Sequence, residues 1–170
     1  VVTDDRGRYV LPDLPDAAYN IWVRGYGLTD SAPVQGRPGV SLDLTATLAA
    51  DPREAAQVYP ANYWYSLVEV PPESAFPGTG DNGNGIAPTM RPQAAWIDGL
   101  KQGCQLCHQL GNQATREMLD PGAVDSTEAA WAHRVQAGQR GALMNGGLRR
   151  FGADQAISMY ADWTDRIMAG

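Results

Sequence analysis

The first fifty residues alternate between apolar and polar side chains with the period of two that is typical of β-strands. The alternation begins at Tyr9 and Leu11, returns over 19–23 and occurs a third time over 40–48, after the Gly-Arg-Pro-Gly turn at 36–39. No helical period separates these runs. We therefore predict three short strands and antiparallel β-structure in this part of the chain.

From Pro92 onward the apolar positions change to the helical period. Pro92 suits the first turn of a helix, and Gly103 lies where a C-terminal cap is expected. Asp125 and Glu128 predict the start of another helix. The last helix has the clearest stripe, spaced i, i+3, i+4, i+7 and i+11. Its members are Ala156, Met159, Tyr160, Trp163 and Ile167. Residues 51–91, rich in proline, glycine and aromatic side chains, are predicted as a connector.

Composition and charge restrict the classes of function. The chain has 170 residues, of which 44% are hydrophobic and 19% charged, which predicts one folded domain or two small ones. Its formal net charge of −6 argues against sequence-independent nucleic-acid binding, because that binding depends on Lys and Arg neutralising phosphates. An acidic surface favours basic partners. The sequence contains no run of 18 apolar residues, so no transmembrane segment is predicted.

The segment TDDRGRYVLPDLPDAAYNIWVRGYGL resembles the carboxypeptidase regulatory-like domain, a small transthyretin-like β-sandwich. The likeness lies in the Asp-Arg-Gly-Arg-Tyr turn, the Leu-Pro turn and the Tyr-x-Ile-x-Val strand, and it covers about residues 1–48. Domains of that family normally begin with further strands, so the resemblance implies an incomplete sandwich. We then expect either a piece of a longer polypeptide or a neighbour that covers the open sheet edge.

Both cysteines of the chain lie in one five-residue motif, Cys104-Gln-Leu-Cys107-His108. Cys-x-x-Cys-His is the attachment signature of a c-type haem. Two cysteines three positions apart on a helical turn can reach the two vinyl groups on one edge of a porphyrin. The next residue then lies under the ring, where an imidazole can bind the iron. We therefore predict one covalent haem on Cys104 and Cys107, with His108 as the proximal ligand.

Three other interpretations of the motif stay open. A thioredoxin-type redox pair usually opens a helix after a strand, whereas this motif follows a predicted helix. A zinc site needs four convergent ligands, and His133 is the only other histidine available. The third interpretation is a chance match in a structural or assembly module without a cofactor.

With this motif, residues 88–169 resemble a class I-type monohaem cytochrome c domain. An opening helix, the motif, a distal ligand and a closing helix follow one another in the order of that family. The resemblance implies that Met144, in a glycine-rich loop before the closing helix, is the distal ligand in a His/Met site. His133 is the rival in a bis-histidine site, and Met118 is a third candidate.

The resemblance also implies which residues interact with the proximal ligand and with the haem propionates. In that family a proline carbonyl accepts a hydrogen bond from the proximal imidazole, and Pro121 lies at a suitable distance along the chain from His108. Arg149, Arg150 or Arg166 could pair with the haem propionates.

Taken together, these features predict an α+β chain in three parts. Residues 1–50 form an incomplete carboxypeptidase regulatory-like β-sandwich, 51–91 a connector and 92–170 a small all-α cytochrome c-like haem domain. The predicted function is electron transfer through one haem c, as a module or subunit of a larger redox protein. The alternative is a haem relay or a five-coordinate haem site in an oxidoreductase enzyme. The resemblance implies a bacterial periplasmic or extracellular location and a redox partner with a basic docking surface.

Overall fold

The computed structural model describes residues 1–117 and 124–170. These divide into two compact units, Val1–Tyr59 and Pro60–Gly170. The first unit carries the described β-strands and one short helix, and the second is helical. The mixed α+β composition is therefore confirmed. Residues 60–91 belong to the same compact unit as the helices that follow them, and the sandwich, connector and haem-domain assignments stay predictions.

The first unit contains two small antiparallel sheets. One sheet pairs β1 with β3, with Tyr19 opposite Gly36, and the other pairs β2 with β4, with Leu28 opposite Leu48. The elements are β1 (Tyr19–Ile21), β2 (Leu28–Thr29), β3 (Val34–Gly36), β4 (Thr47–Leu48) and α1 (Pro52–Ala56).

The three predicted strands have different outcomes. The run over 19–23 contains β1, but no strand forms at Tyr9 and Leu11, and only the last two residues of the 40–48 run are in β4. In place of a ladder, the Tyr9 hydroxyl donates a hydrogen bond to the carbonyl of Leu42 (2.9 Å). Pro12, directly after Leu11, offers no backbone N–H, which disfavours a sheet ladder here.

The second unit is built from short helices and one long one. Its helices are α2 (Ala61–Tyr65), α3 (Gln93–Gly103), α4 (Gln113–Arg116), α5 (Thr127–Gln136), α6 (Gly141–Leu148) and α7 (Ala153–Ala169), with 3₁₀ turns at Glu73–Ala75 and Arg149–Phe151. No helix in the described ranges is long and apolar enough to cross a membrane.

The helix boundaries correct some of the predicted caps. Pro92 is the residue just before α3, and Gly103 is its last helical residue, so Cys104 takes the C-cap position. The cap of α5 is Ser126 rather than Asp125, because the Ser126 hydroxyl accepts a hydrogen bond from the backbone N–H of Ala129 (3.1 Å). Asp125 and Ser126 are adjacent, and both residue types are common N-caps, so the sequence alone does not distinguish between them.

The predicted stripe of α7 forms the centre of the helical core. Ala156, Tyr160 and Trp163 are buried, and Trp163 donates its indole N–H to the carbonyl of Trp64 (2.8 Å). Trp131 of α5 stacks on Tyr160, with ring centroids 4.7 Å apart. Because these contacts join α2, α5 and α7, the aromatic core fixes the helices around the cysteine motif.

Candidate functional site

The cysteine motif forms a helical turn that continues directly from α3. The backbone N–H of Cys104 donates to the carbonyl of Leu100 (2.9 Å), and the N–H of His108 donates to the carbonyl of Cys104 (3.0 Å). The N–H of Cys107 donates to the same Cys104 carbonyl (3.3 Å). The predicted premise, two cysteines three positions apart on one helical turn after a helix, is therefore confirmed.

The motif is exposed on one side and anchored at its end. Cys107 and His108 are exposed, Cys104 is partly buried, and both cysteines are free thiols. Leu106, between the two cysteines, is 81% exposed, whereas Leu110 is buried. A cavity of about 380 Å³ opens here, lined by Asn62 and residues 105–110. Its volume lies within the range of ~300–1,000 Å³ that is usual for small-molecule sites.

The inner side of the motif faces a buried tyrosine hydroxyl. Tyr160 is 3% exposed, and its hydroxyl has no nitrogen or oxygen partner in the described structure, so the weak sulfur partner of the Cys104 thiol is the group beside it. Burial raises the pKa of the Tyr160 phenol well above its ordinary value, and the nearby Cys104 thiol raises it further. Burial also raises the pKa of the Cys104 thiol, which a hydrogen bond with the Tyr160 hydroxyl partly offsets.

The chain just after the motif is held tightly against α2. Gly111 has φ +94°, and a Cβ at this position would overlap the backbone of Ala61, so a larger residue would displace the segment. The N–H of Gly111 donates to the Thr115 hydroxyl (2.9 Å), and the Asn112 side chain caps α4. These contacts fix the position of the backbone that follows His108.

Two side chains that sequence analysis did not single out lie behind this segment. Arg116 is buried, donates to the carbonyl of Gly111 (3.0 Å) and lies over the ring of Trp64 at 4.4 Å. Neither residue belongs to a recognisable motif. The one signal available in the sequence is an arginine eight positions after His108 in an acidic chain.

The predicted distal ligands are not assembled with the motif. Met144 is partly buried and lies inside α6, where its N–H donates to the carbonyl of Arg140 (3.0 Å), so the predicted loop is wrong. Helix α6 forms despite its glycines because it packs on α5 and on the following 3₁₀ turn. His133 is exposed in the last turn of α5. Neither side chain is among the described residues that line the cavity at the motif.

Two predicted residues lie outside the described part of the chain. These are Met118, the third candidate for the distal ligand, and Pro121, the predicted acceptor for His108. Their predicted roles stay predictions.

The three predicted propionate partners differ in availability. Arg166 is engaged, because it pairs with Asp162 (2.8 Å) and Glu69 (3.6 Å) and donates to the carbonyl of Leu67 (2.6 Å). Arg149 and Arg150 are exposed.

The residues present fit a haem better than a zinc ion. In residues 1–117 and 124–170, no three His, Cys, Asp or Glu side chains gather as the ligands of one ion would. A zinc site needs four convergent ligands. Haem attachment needs no such convergence, because the two sulfurs bond to the edge of a ring and only the imidazole binds the metal. The helical turn and the exposed Leu106 suit a flat, largely apolar group.

The assignment of this site depends on its own residues and geometry. No protein-family model, curated protein or solved structure matches this chain.

Proposed function

We propose that this chain holds one haem c through thioether bonds to Cys104 and Cys107, with His108 as the proximal iron ligand, and that it transfers electrons. The observation that carries the proposal is the helical turn of the motif, closed by hydrogen bonds from Cys107 and His108 to the carbonyl of Cys104. It supports the proposal because the turn gives the two sulfurs and the imidazole the spacing that attachment requires.

The roles of the side chains follow from their positions. Cys104 and Cys107 would hold the haem, each thiol exchanging its S–H bond and a vinyl C=C π bond for an S–C and a C–H bond, with no net oxidation. The haem would supply a one-electron couple, whose potential depends on axial ligand, burial and hydrogen bonding. His108 would bind the metal, Leu106 would cover apolar surface, and Tyr160 places a buried hydroxyl beside Cys104.

Met144 is the distal ligand in this proposal, and His133 is its rival. Helix α6 carries Gly141, Gly146 and Gly147 among its eight residues. Gly146 and Gly147 lie inside the helix, where each glycine costs about 1 kcal/mol relative to alanine, so α6 has low intrinsic stability. A helix of low stability could adjust its backbone at small cost for Met144 to act as a ligand of the iron.

The setting of the haem is part of the same proposal. The chain acts as a module or subunit of a larger redox protein in a bacterial periplasm or at the cell surface, with the first unit as a carboxypeptidase regulatory-like domain. A net charge of −6 supports a redox partner with a basic docking surface.

The primary test is the intact mass of the chain, produced in the bacterial periplasm together with a haem-maturation system. We expect the polypeptide mass plus one haem, a red band after denaturing electrophoresis and two intact thioethers in the pyridine haemochrome spectrum. Cys104→Ala and Cys107→Ala should each shift that spectrum towards one thioether, and the double variant should lose covalent haem. A wild-type chain of polypeptide mass alone, and without colour, would contradict the proposal.

The iron ligands are tested by two histidine variants and one methionine variant. His108→Ala should abolish the native low-spin spectrum, and His133→Ala, its matched control on the exposed face of α5, should leave it unchanged. Met144→Ala should open the sixth position, so that the reduced protein binds carbon monoxide rapidly. Rapid carbon monoxide binding by the unaltered protein would instead favour the five-coordinate enzyme site.

A further inference from the structure

Arg116 stands out because it is a charged side chain placed in the protein interior. Among the residues that the structure describes, the buried polar side chains are Thr115, Arg116 and Thr164, and Arg116 alone of these is charged. Its side chain is 7% exposed. Burying a charge costs free energy unless the charge is well paired, so the burial of Arg116 needs a physical explanation.

The contacts of the guanidinium neutralise its charge only in part. Its Nη1 donates to the carbonyl of Gly111 (3.0 Å), and its plane lies over the ring of Trp64 at 4.4 Å. Within the part of the chain that the structure describes, the carboxylate paired with it is that of Glu117, which is 3.8 Å away and 45% exposed, so water screens it. Burial lowers the pKa of Arg116, but arginine stays protonated in proteins. A fixed positive charge therefore stays inside the second unit.

The local contacts need that charge only in part. A neutral amide could donate to the Gly111 carbonyl, whereas the contact with the ring of Trp64 gains from a cation. The charge has an effect that a neutral donor lacks, because it acts at a distance through an interior of low dielectric constant.

The position of the charge relative to the motif is fixed by the chain. Gly111 lies three residues after His108, so their Cα atoms are at most about 11 Å apart, and Arg116 is bonded to Gly111. The Thr115 hydroxyl holds α4 on the same segment, by accepting from the N–H of Gly111 (2.9 Å). The guanidinium is thus held next to the segment that follows the proximal ligand.

We propose that Arg116 sets the reduction potential of the haem, by holding a buried positive charge beside the segment that follows His108. This inference rests on the proposed function. Reduction removes one positive charge from the iron centre, so a nearby fixed cation favours the ferrous state and raises the potential. At an effective dielectric constant of about 20, a tenfold shift of the equilibrium corresponds to a separation of about 12 Å between the two charges, and a longer separation gives a smaller shift. A tenfold shift corresponds to about 59 mV for a one-electron couple.

The experiment measures the midpoint potential of the haem-loaded full chain by spectroelectrochemical titration at low and high salt. Arg116→Gln should lower the potential, which means a shift of up to about tenfold in the ferric–ferrous ratio. High salt should reduce this shift only a little, because the charge is buried. Arg116→Lys should stay closer to the unaltered protein. Arg91→Gln removes an exposed arginine of the same unit that is not a predicted propionate partner, and its smaller effect should disappear at high salt.

Glu117→Gln gives a test of opposite sign. It removes the exposed carboxylate that partly neutralises Arg116, so it should raise the potential, and its exposure keeps the cost to folding small. This variant decides the matter should Arg116→Gln fail to fold. Haem-loaded protein whose potential is unchanged in both variants would overturn the inference and leave the haem in place. A chain that takes up no haem would overturn both proposals.

Discussion

The aromatic core of the second unit and the cysteine motif beside it are packed to different degrees. In the core, the indole N–H of Trp96 reaches the carbonyl of Phe151 (3.0 Å) and that of Trp131 reaches the Thr164 hydroxyl (2.9 Å). At the motif, Leu106 is exposed to solvent. Two buried groups of the core, the indole N–H of Trp64 and the hydroxyl of Tyr160, have no nitrogen or oxygen partner in the described structure. The difference therefore lies in apolar surface, which is closed in the core and open at the motif.

The largest effect should come from breaking the core. Trp163→Ala removes the most central side chain of α7 and its hydrogen bond to the carbonyl of Trp64. We expect a loss of about 3–5 kcal/mol in the free energy of unfolding, with or without haem, because a large cavity forms. Chemical denaturation followed by far-ultraviolet circular dichroism measures it.

The matched control for that variant is Leu106→Ala at the motif. Leu106 is exposed, so its truncation should change the stability of the haem-free chain by no more than about 0.5 kcal/mol. Equal losses in the two variants would mean that the contrast between core and motif is false.

An intermediate effect should come from one hydrogen bond inside the core. Thr164→Val keeps the shape of the side chain but leaves the indole N–H of Trp131 without its acceptor. Because this N–H is buried, we expect a loss of about 1–3 kcal/mol in the free energy of unfolding. Thr127→Val is the control, since its hydroxyl pairs with Asp165 at the surface, and it should cost about 0.5 kcal/mol or less. A Thr164→Val protein as stable as the control would contradict the expected burial.

Sequence was informative where one local pattern decides the structure. The stripe of α7 and the helical turn of the motif both depend on residues within a few positions of one another. Sequence misled where distant contacts decide. The alternation at Tyr9 and Leu11 gave no strand, since the hydroxyl of Tyr9 bonds 33 positions away, at Leu42.

Two features of the site show the same limit. Met144 was predicted in a loop because glycines surround it, yet packing on α5 makes its segment a helix. Arg116 was not singled out, because its burial arises from Trp64, which is distant in sequence. Neither the cost of burying a charge nor an unsatisfied hydroxyl such as that of Tyr160 is visible without tertiary structure.

A smaller effect is expected at Tyr160. Tyr160→Phe removes a buried hydroxyl whose described neighbour is the weak sulfur partner of Cys104, so the free energy of unfolding of the haem-free chain should change by no more than about 1 kcal/mol. Tyr65→Phe, at a partly buried tyrosine near Cys104, is the control and should change it less. A clearly larger loss at Tyr160 would show that its hydroxyl has a stronger partner than the thiol.

The smallest effect is a difference in reactivity between the two thiols before attachment. Cys107 is exposed, whereas Cys104 is partly buried and burial raises the pKa of its thiol. Because the thiolate is the reactive form, the haem-free Cys107→Ser variant, which keeps Cys104, should react with iodoacetamide a few-fold more slowly at neutral pH than the Cys104→Ser variant.

The pH dependence separates burial from simple shielding. A raised pKa keeps Cys104 protonated to higher pH, so the labelling rate of Cys107→Ser should continue to increase as the pH rises above the ordinary range of a cysteine thiol. Mass spectrometry of quenched samples measures both rates. Equal labelling rates with the same pH profile in the two variants would show that Cys104 is as accessible as Cys107. Both cysteines would then differ from the closed aromatic core.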